Sequence, residues 1–279
     1  MGRGGVALFH ALIPLALLAF IYARWLEPRW LRVSKVDVPI PGLNPGLDGF
    51  TILHLSDLHQ ARFGPEQRRL LAAIDQYDYN LVALTGDLLS CPVPYDFAPI
   101  AELLAGLKSP VYFVYGNHDY PRARFLTADL TALGVNILNN SWQQQAVGET
   151  DLQIAGVDDP NWTKHYPQSS FNTDLKKALA GTDPAKFTLL LSHSPGILPA
   201  AAAEGIPLIL CGHTHGGQIK IPLLGAPTTA SGKLFDPLVQ GLYKEDNTLL
   251  YINRGLGISG LPLRFLSPPE AAFIRLVRA

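Results

Sequence analysis

The stretch TILHLSDLH (Thr51–His59) decides the fold: an apolar run of strand length ends in an Asp-x-His segment. The same join recurs four times downstream. LVALTGD (Leu81–Asp87), VYFVYGNHD (Val111–Asp119), FTLLLSHS (Phe187–Ser194) and LILCGHTH (Leu208–His215) each carry a strand-like run straight into residues with metal-binding or acid–base chemistry. Runs of Leu, Val and Ile with little polar alternation mark strands buried on both faces by helices. Helix-like stretches lie at Pro65–Tyr77, Phe97–Leu107, Arg122–Leu133 and Thr173–Ala180, so the pattern predicts an α/β fold. Further strands are expected at Leu152–Val157, Leu249–Asn253 and Ala272–Leu276. The second half has fewer helices and more Pro and Gly, which predicts a partly antiparallel sheet. Loops beyond the carboxyl ends of strands gather in one crevice, so the five segments are expected to converge.

The residue types in those segments suit metal hydrolysis. Five of the eight histidines fall at the ends of those strands: His59, His118, His193, His213 and His215. Carboxylate, imidazole and amide oxygen suit Mn2+, Fe or Zn2+. A carboxylate shared by two ions can hold them about 3.5–4 Å apart, a spacing that favours in-line displacement at phosphorus. Taken singly, an Asp-x-His or a Gly-Asp is most often a loop or turn, and His193 a satisfied core histidine. GHTH places two imidazoles at i and i+2, on one side of an extended segment. Their joint occurrence at five strand ends is what carries the reading. The glycines before Asp87, Asn117 and His213 are expected to allow sharp turns.

In chain order, Asp-x-His, Gly-Asp, Gly-Asn-His-Asp, a lone His after a strand and Gly-His-x-His resemble the motif series of calcineurin-like metallophosphoesterases. The resemblance covers Thr51 to the C-terminus and implies a four-layer α/β-β/α sandwich. It implies two divalent metal ions, Mn2+ first, with Fe or Zn2+ as alternatives. Position by position, Asp57, His59 and His215 would hold one ion. Asn117, His193 and His213 would hold the other, and Asp87 would bridge them. A hydroxide between the ions would attack phosphorus. His118 would protonate the leaving oxygen or steady the transition state, and Asp119 would orient His118 through its other ring nitrogen. Many members carry an acid three positions after the Gly-Asp aspartate. Ser90 stands there in this chain, which implies a change around the ligands rather than among them.

A narrower resemblance lies in GHTHGGQIKIP (Gly212–Pro222), NRGLG (Asn253–Gly257) and PLRF…PPE (Pro262–Glu270). These are similar to the membrane-tethered phosphodiesterase branch, which includes UDP-2,3-diacylglucosamine pyrophosphatases of lipid A synthesis. The implied substrate is a phosphodiester or diphosphate, lipid-linked in that branch. The competing reading is a tethered phosphodiesterase for a nucleotide or a cell-envelope phosphodiester. A non-catalytic scaffold would be expected to lack ligands or His118, and none is missing. Ile221–Pro227 and Leu261–Leu266 are either acyl-chain contacts or ordinary core and loop residues. Arg254 is either a phosphate contact or a structural donor. Asp158 and Asp159 read as a turn, and Cys211 as a buried small apolar residue.

The N-terminus adds a second theme. Val6–Ala23, VALFHALIPLALLAFIYA, has no formal charge and approaches the ~20 residues of a spanning helix. Its length, and the lack of a small-x-small site after it, disfavour a cleaved signal peptide; a buried helix is the third reading. The expected organisation is a membrane anchor over 1–30, a linker over 31–50 that is rich in Pro and Gly from Pro39 to Phe50, and the catalytic domain over 51–279. Tyr22, Trp25 and Trp30 sit where interfacial aromatics belong. Arg24, Arg29, Arg32 and Lys35 outweigh Arg3, so the positive-inside rule predicts a cytoplasmic domain on the inner membrane. With 48% hydrophobic and 16% charged residues, the chain is neither disordered nor fibrous. A net charge of −1 leaves no electrostatic footprint for nucleic acid, so no such partner is expected. Two cysteines make no disulfide framework.

Overall fold

A computed structural model describes residues 13–159, 171–229 and 234–279. Two six-stranded sheets lie face to face. The first runs in the order β1 (Arg32–Ile40), β12 (Glu270–Arg278), β2 (Thr51–Leu55), β3 (Leu81–Leu84), β4 (Val111–Phe113) and β5 (Asn136–Ile137). The second runs β10 (Gly241–Glu245), β11 (Thr248–Ile252), β9 (Leu208–Cys211), β8 (Thr188–Ser192), β7 (Thr150–Val157) and β6 (Ser141–Val147). Helices α1 (Arg68–Ile74), α2 (Ala98–Ala105) and α3 (Ala123–Ala132) cover the outside of the first sheet. Helices α4 (Phe171–Ala178) and α5 (Leu198–Ala203) cover the outside of the second.

Strand side chains alternate between two cores, which is why the strand sequences are apolar throughout. Ile52, Leu81 and Ala83 face inward against Ile154, Leu189 and Leu208 of the other sheet. Leu53, Val82 and Leu84 face outward against Leu70, Ile100 and Leu126 of the helices. Leu190, Ile209 and Leu250 meet Leu175, Leu198 and Ala201 on the far side. The layers are therefore helix, sheet, sheet, helix. Antiparallel pairs occur at β6–β7, at β10–β11 and, in the first sheet, at β12–β2.

The stretch 31–50 is not simply a linker. Nine of its residues form β1, paired in parallel with β12 from Arg32↔Glu270 to Ile40↔Arg278. Its burial alternates, and Pro39 is tolerated because β1 is an edge strand. The segment that follows contributes Leu43, Leu47 and Phe50 to the inter-sheet core.

Of the apolar run Val6–Ala23, residues 6–12 lie outside the described residues. Residues 13–21 are helical, with Ile13, Leu15, Leu17, Leu18, Phe20 and Ile21 exposed. Among the described residues no helix is long and apolar enough to cross a membrane. The turn that follows is fastened to the domain. Arg264 N–H donates to Ala23 O (2.9 Å), Leu266 N–H to Glu27 Oε2 (2.8 Å), and Ser267 N–H to Glu27 Oε1.

Candidate metal centre

The five segments leave the carboxyl ends of β2, β3, β4, β8 and β9 and meet at one edge of the sandwich. Asp57, His59 and His215 form one buried group of donor atoms; Asp87, His193 and His213 form a second. Within each group these atoms lie within 4.8 Å of one another. Asp87 joins the groups: its Oδ2 is 3.6 Å from His59 Nε2 and 3.3 Å from His193 Nε2. Asn117 lies between Gly116, which abuts Asp87, and His118, whose N–H donates to Asp87 Oδ1 (2.8 Å).

Carbonyl oxygens fix the ring tautomers. His59 Nδ1 donates to Leu89 O (3.0 Å) and His193 Nδ1 to Thr85 O (2.7 Å). A carbonyl only accepts, so Nδ1 keeps its proton and Nε2 turns inward, as a lone pair in His59 and, in His193, beside Asp87 with a proton that a cation would displace. His59 Nε2 then faces His215 Nε2 at 3.2 Å, and His193 Nε2 faces His213 Nδ1 at 3.0 Å. Asn117 Oδ1 is buried with no hydrogen-bond partner. Converging lone pairs, two carboxylates and an orphaned amide oxygen make an anionic, donor-rich cage. That set fits a pair of divalent cations.

The backbone is strained where it presents these groups. Asp57 (φ 49°), His59 (47°), Asp87 (53°), His213 (69°) and His215 (52°) all take left-handed conformations. Each costs about 1 kcal/mol or more for a residue with a Cβ. The neighbouring glycines serve partly another purpose than expected. Gly86 does turn with φ 85°, but Gly116 and Gly212 are needed for space. A Cβ on Gly116 would overlap Asp87, and one on Gly212 would overlap Ser56 Oγ and the Asp57 carboxylate.

Burial and mutual proximity set the charges. Burial lowers His59 to about 4 and, with the neighbouring His193, His213 to about 3; His215 falls well below its ordinary value. Burial also opposes protonation of His193, but Asp87 outweighs it and raises that ring well above the usual range. Burial raises Asp57 to about 6. Burial pushes Asp87 up as well, but His193, His59 and His118 hold it well below the ordinary carboxylate value.

Two expected roles are corrected. Asp119 does not reach the His118 ring. Its side chain turns inward and accepts from Asp87 N–H (2.7 Å), Gly116 N–H (2.9 Å) and Leu89 N–H (3.0 Å), clamping the β3 and β4 loops together. His118 Nδ1 instead accepts from Cys91 N–H (3.1 Å). Arg254 is committed elsewhere: its Nη2 donates to Glu270 Oε1 (2.8 Å) and Ser34 Oγ (3.3 Å), a buried ion pair rather than a free phosphate contact. Ser90 Oγ lies 3.2 Å from His59 Nδ1, touching a candidate ligand from behind. Cys211 is buried beside α5 with its thiol neutral.

One structural residue carried no sequence expectation. Arg264 is fully buried and faces carbonyl oxygens rather than a carboxylate: Arg254, Gly255, Gly257 and Ser267. It thereby holds the loop whose Leu256 and Gly257 N–H groups donate to Ser56 O and Asp57 O. PLRF was visible as a motif, but a lone arginine in an apolar stretch gives no sign of such a carbonyl cage.

Known proteins resemble this chain in sequence. The family model for calcineurin-like phosphoesterase matches residues 50–217. The uncharacterized metallophosphoesterase YkuE of Bacillus subtilis is 31% identical, over 96% of this chain and 94% of its own length. The phosphodiesterase YaeI of Escherichia coli is 27% identical, with coverages of 92% and 93%. The UDP-2,3-diacylglucosamine pyrophosphatase LpxG of Chlamydia muridarum is 25% identical, with coverages of 98% and 97%. The likeness thus runs the length of the chain and includes the strand-end segments that build the cage, and the chain belongs to the calcineurin-like phosphoesterase family as a metal-dependent phosphoester hydrolase.

Proposed function

We propose a membrane-anchored phosphodiesterase or pyrophosphatase whose substrate is amphiphilic, UDP-2,3-diacylglucosamine being the leading candidate. The observation that carries the chemistry is Asp87 standing between two groups of buried donors with His118 at their rim. Asp57, His59 and His215 would hold one divalent ion, and Asn117, His193 and His213 the other. When bound, the ions would supply positive charge against the phosphoryl oxygens and make water acidic enough to react.

The chain's own residues supply orientation and a hydrogen-bond donor. The Leu89 and Thr85 carbonyls hold His59 and His193 with Nε2 inward. Cys91 N–H occupies Nδ1 of His118, so the neutral ring carries its proton on Nε2, the nitrogen on the side of Ser259 (3.5 Å). That N–H would donate a hydrogen bond to the leaving oxygen and steady the charge growing there as the P–O bond breaks, and solvent would supply the proton that the leaving oxygen takes up. Water contributes the oxygen that remains on phosphorus. The membrane part of the reading rests on the exposed apolar helical residues 13–21, and the acylated substrate on the name of the Chlamydia relative.

The test is hydrolysis by detergent-purified protein with Mn2+, comparing bis-p-nitrophenyl phosphate with UDP-2,3-diacylglucosamine. Preference for the acylated nucleotide supports the lipid substrate; activity on the generic diester alone removes it. His118→Ala should slow the nucleotide reaction about 10²–10⁴-fold and the p-nitrophenyl reaction much less, because p-nitrophenolate leaves without a proton. Equal losses on both would remove the role at the leaving oxygen. Deleting residues 1–21, which spares Glu27, should move the protein from the membrane fraction to the supernatant; an unchanged distribution would contradict the anchor.

A further inference from the structure

Large apolar side chains stand in water beside the metal centre, and the backbone holds them there. The turn Ile221–Gly225 closes on itself through Ile221 N–H to Gly225 O (2.8 Å) and Gly225 N–H to Ile221 O (2.9 Å). At its tip Leu223 is fully exposed and Leu224 is 64% exposed. Leu261 (64%) and Leu266 (44%) project from the loop alongside. Leu223 (φ 69°) and Leu266 (φ 57°) are left-handed, where glycine would be the relaxed choice. A strained leucine in water is unfavourable twice over unless its side chain has a destination.

These residues form one surface with the N-terminal segment. Lys220 N–H donates to Phe265 O (2.9 Å) and Phe265 N–H to Gln218 O (2.9 Å), zipping turn and loop together. The same loop is fastened to Ala23 and Glu27, directly after the exposed apolar helical residues. Trp25 and Trp30 are exposed on that segment, with Arg24, Arg29 and Arg32 around them. Leucine tips, exposed tryptophans and flanking arginines match an anionic bilayer interface, with its apolar interior and charged headgroups. A mainly apolar cleft of about 360 Å3 runs under the same loops, between His215 and Gln218 on one side and Ser259 and Leu261 on the other.

We propose that the catalytic domain itself docks on the bilayer through Ile221–Gly225 and Leu261–Leu266, and that the cleft beneath admits the apolar part of a membrane-borne phosphoester while its phosphate reaches the metal centre. This rests on, and deepens, the amphiphilic-substrate reading. The docking is separate from the N-terminal anchor. It sets the orientation of the domain, whereas the anchor sets only its location.

The test uses the full chain in vesicles of phosphatidylethanolamine and phosphatidylglycerol. An environment-sensitive fluorescent amino acid is placed at 223 or, as a control, at 108. Lys108 is exposed and precedes β4, at the sheet end opposite the site. Brominated acyl chains should quench the probe at 223 and spare it at 108. Absence of quenching at 223 overturns the docking. So does a blue shift that grows with protein concentration without lipid quenching, because the occupant is then a second copy of the chain. Leu223→Ser with Leu224→Ser should lower turnover of vesicle-borne UDP-2,3-diacylglucosamine, relative to soluble bis-p-nitrophenyl phosphate, about tenfold. An unchanged ratio overturns the delivery role. Because quenching is read without turnover, quenching at 223 in a protein inactive on the acylated nucleotide would sink the substrate assignment and leave the docking standing.

Discussion

Asp87 is where the two donor groups meet, and every bond it makes serves that position. Its N–H is held by Asp119 and its Oδ1 by His118 N–H, which leaves Oδ2 facing His59 and His193. Arg264 supports the site from behind. Its guanidinium bonds to four residues' carbonyl groups, whereas an ammonium has three donors and no planar fork. Arg264→Lys should therefore cost about 2–4 kcal/mol in denaturant unfolding; a loss below about 0.5 kcal/mol would show that the carbonyl cage is not needed. His54 adds a pH dependence. It lies between the sheets against Thr85 Oγ1 (2.8 Å), and burial lowers it from 6.5 to about 3. In the unfolded chain it takes a proton below about pH 6.5, while the folded protein refuses it until about pH 3. Stability is thus lost as pH falls through that window, by roughly 2 kcal/mol at pH 5 from this group alone. His54→Gln should show a shallower loss between pH 7 and pH 5 than the parent; parallel curves would contradict the assignment.

At the scale of elements, the legible and illegible parts divide by burial. The central strands β2, β3, β8 and β9 are covered on both faces and read as apolar runs. The four strands with no sequence expectation, β1, β5, β6 and β10, are the four sheet edges. An edge strand is half-solvated, so SWQQQAV and GLYKE carry no continuous apolar signal. The histidine and aspartate segments were legible because they end legible strands. Their left-handed backbones were not, since nothing in the sequence Asp-Leu-His marks φ near 50°. Nor was the inward turn of Asp119, because adjacent side chains diverge in directions that only the loop decides. The space at Gly212 gives an element-scale prediction. Gly212→Ala forces β9 away from Ser56 and Asp57 and should cost about 1–3 kcal/mol while weakening the metal site. Wild-type metal content and stability in that variant would contradict the close approach.

For the whole molecule, the two sheets are bound to each other twice, by the apolar layer between them and by the donor cage at their shared edge. The first sheet supplies Asp57, His59, Asp87 and Asn117, and the second supplies His193, His213 and His215. Metal ions held there would therefore cross-link the halves. Chelation should lower unfolding stability by about 4 kcal/mol relative to protein with free metal at 1,000 times its dissociation constant. An unchanged unfolding curve would place the ions elsewhere. The most direct measurement of the central claim is the metal content of the purified protein, parent against Asp87→Ala, with bis-p-nitrophenyl phosphate turnover on the same samples. Two divalent ions per chain in the parent, and loss of both metal and turnover in the variant, are the predicted result. A variant that keeps two ions and full turnover would contradict the account, because the residue shared by both groups would then hold neither ion.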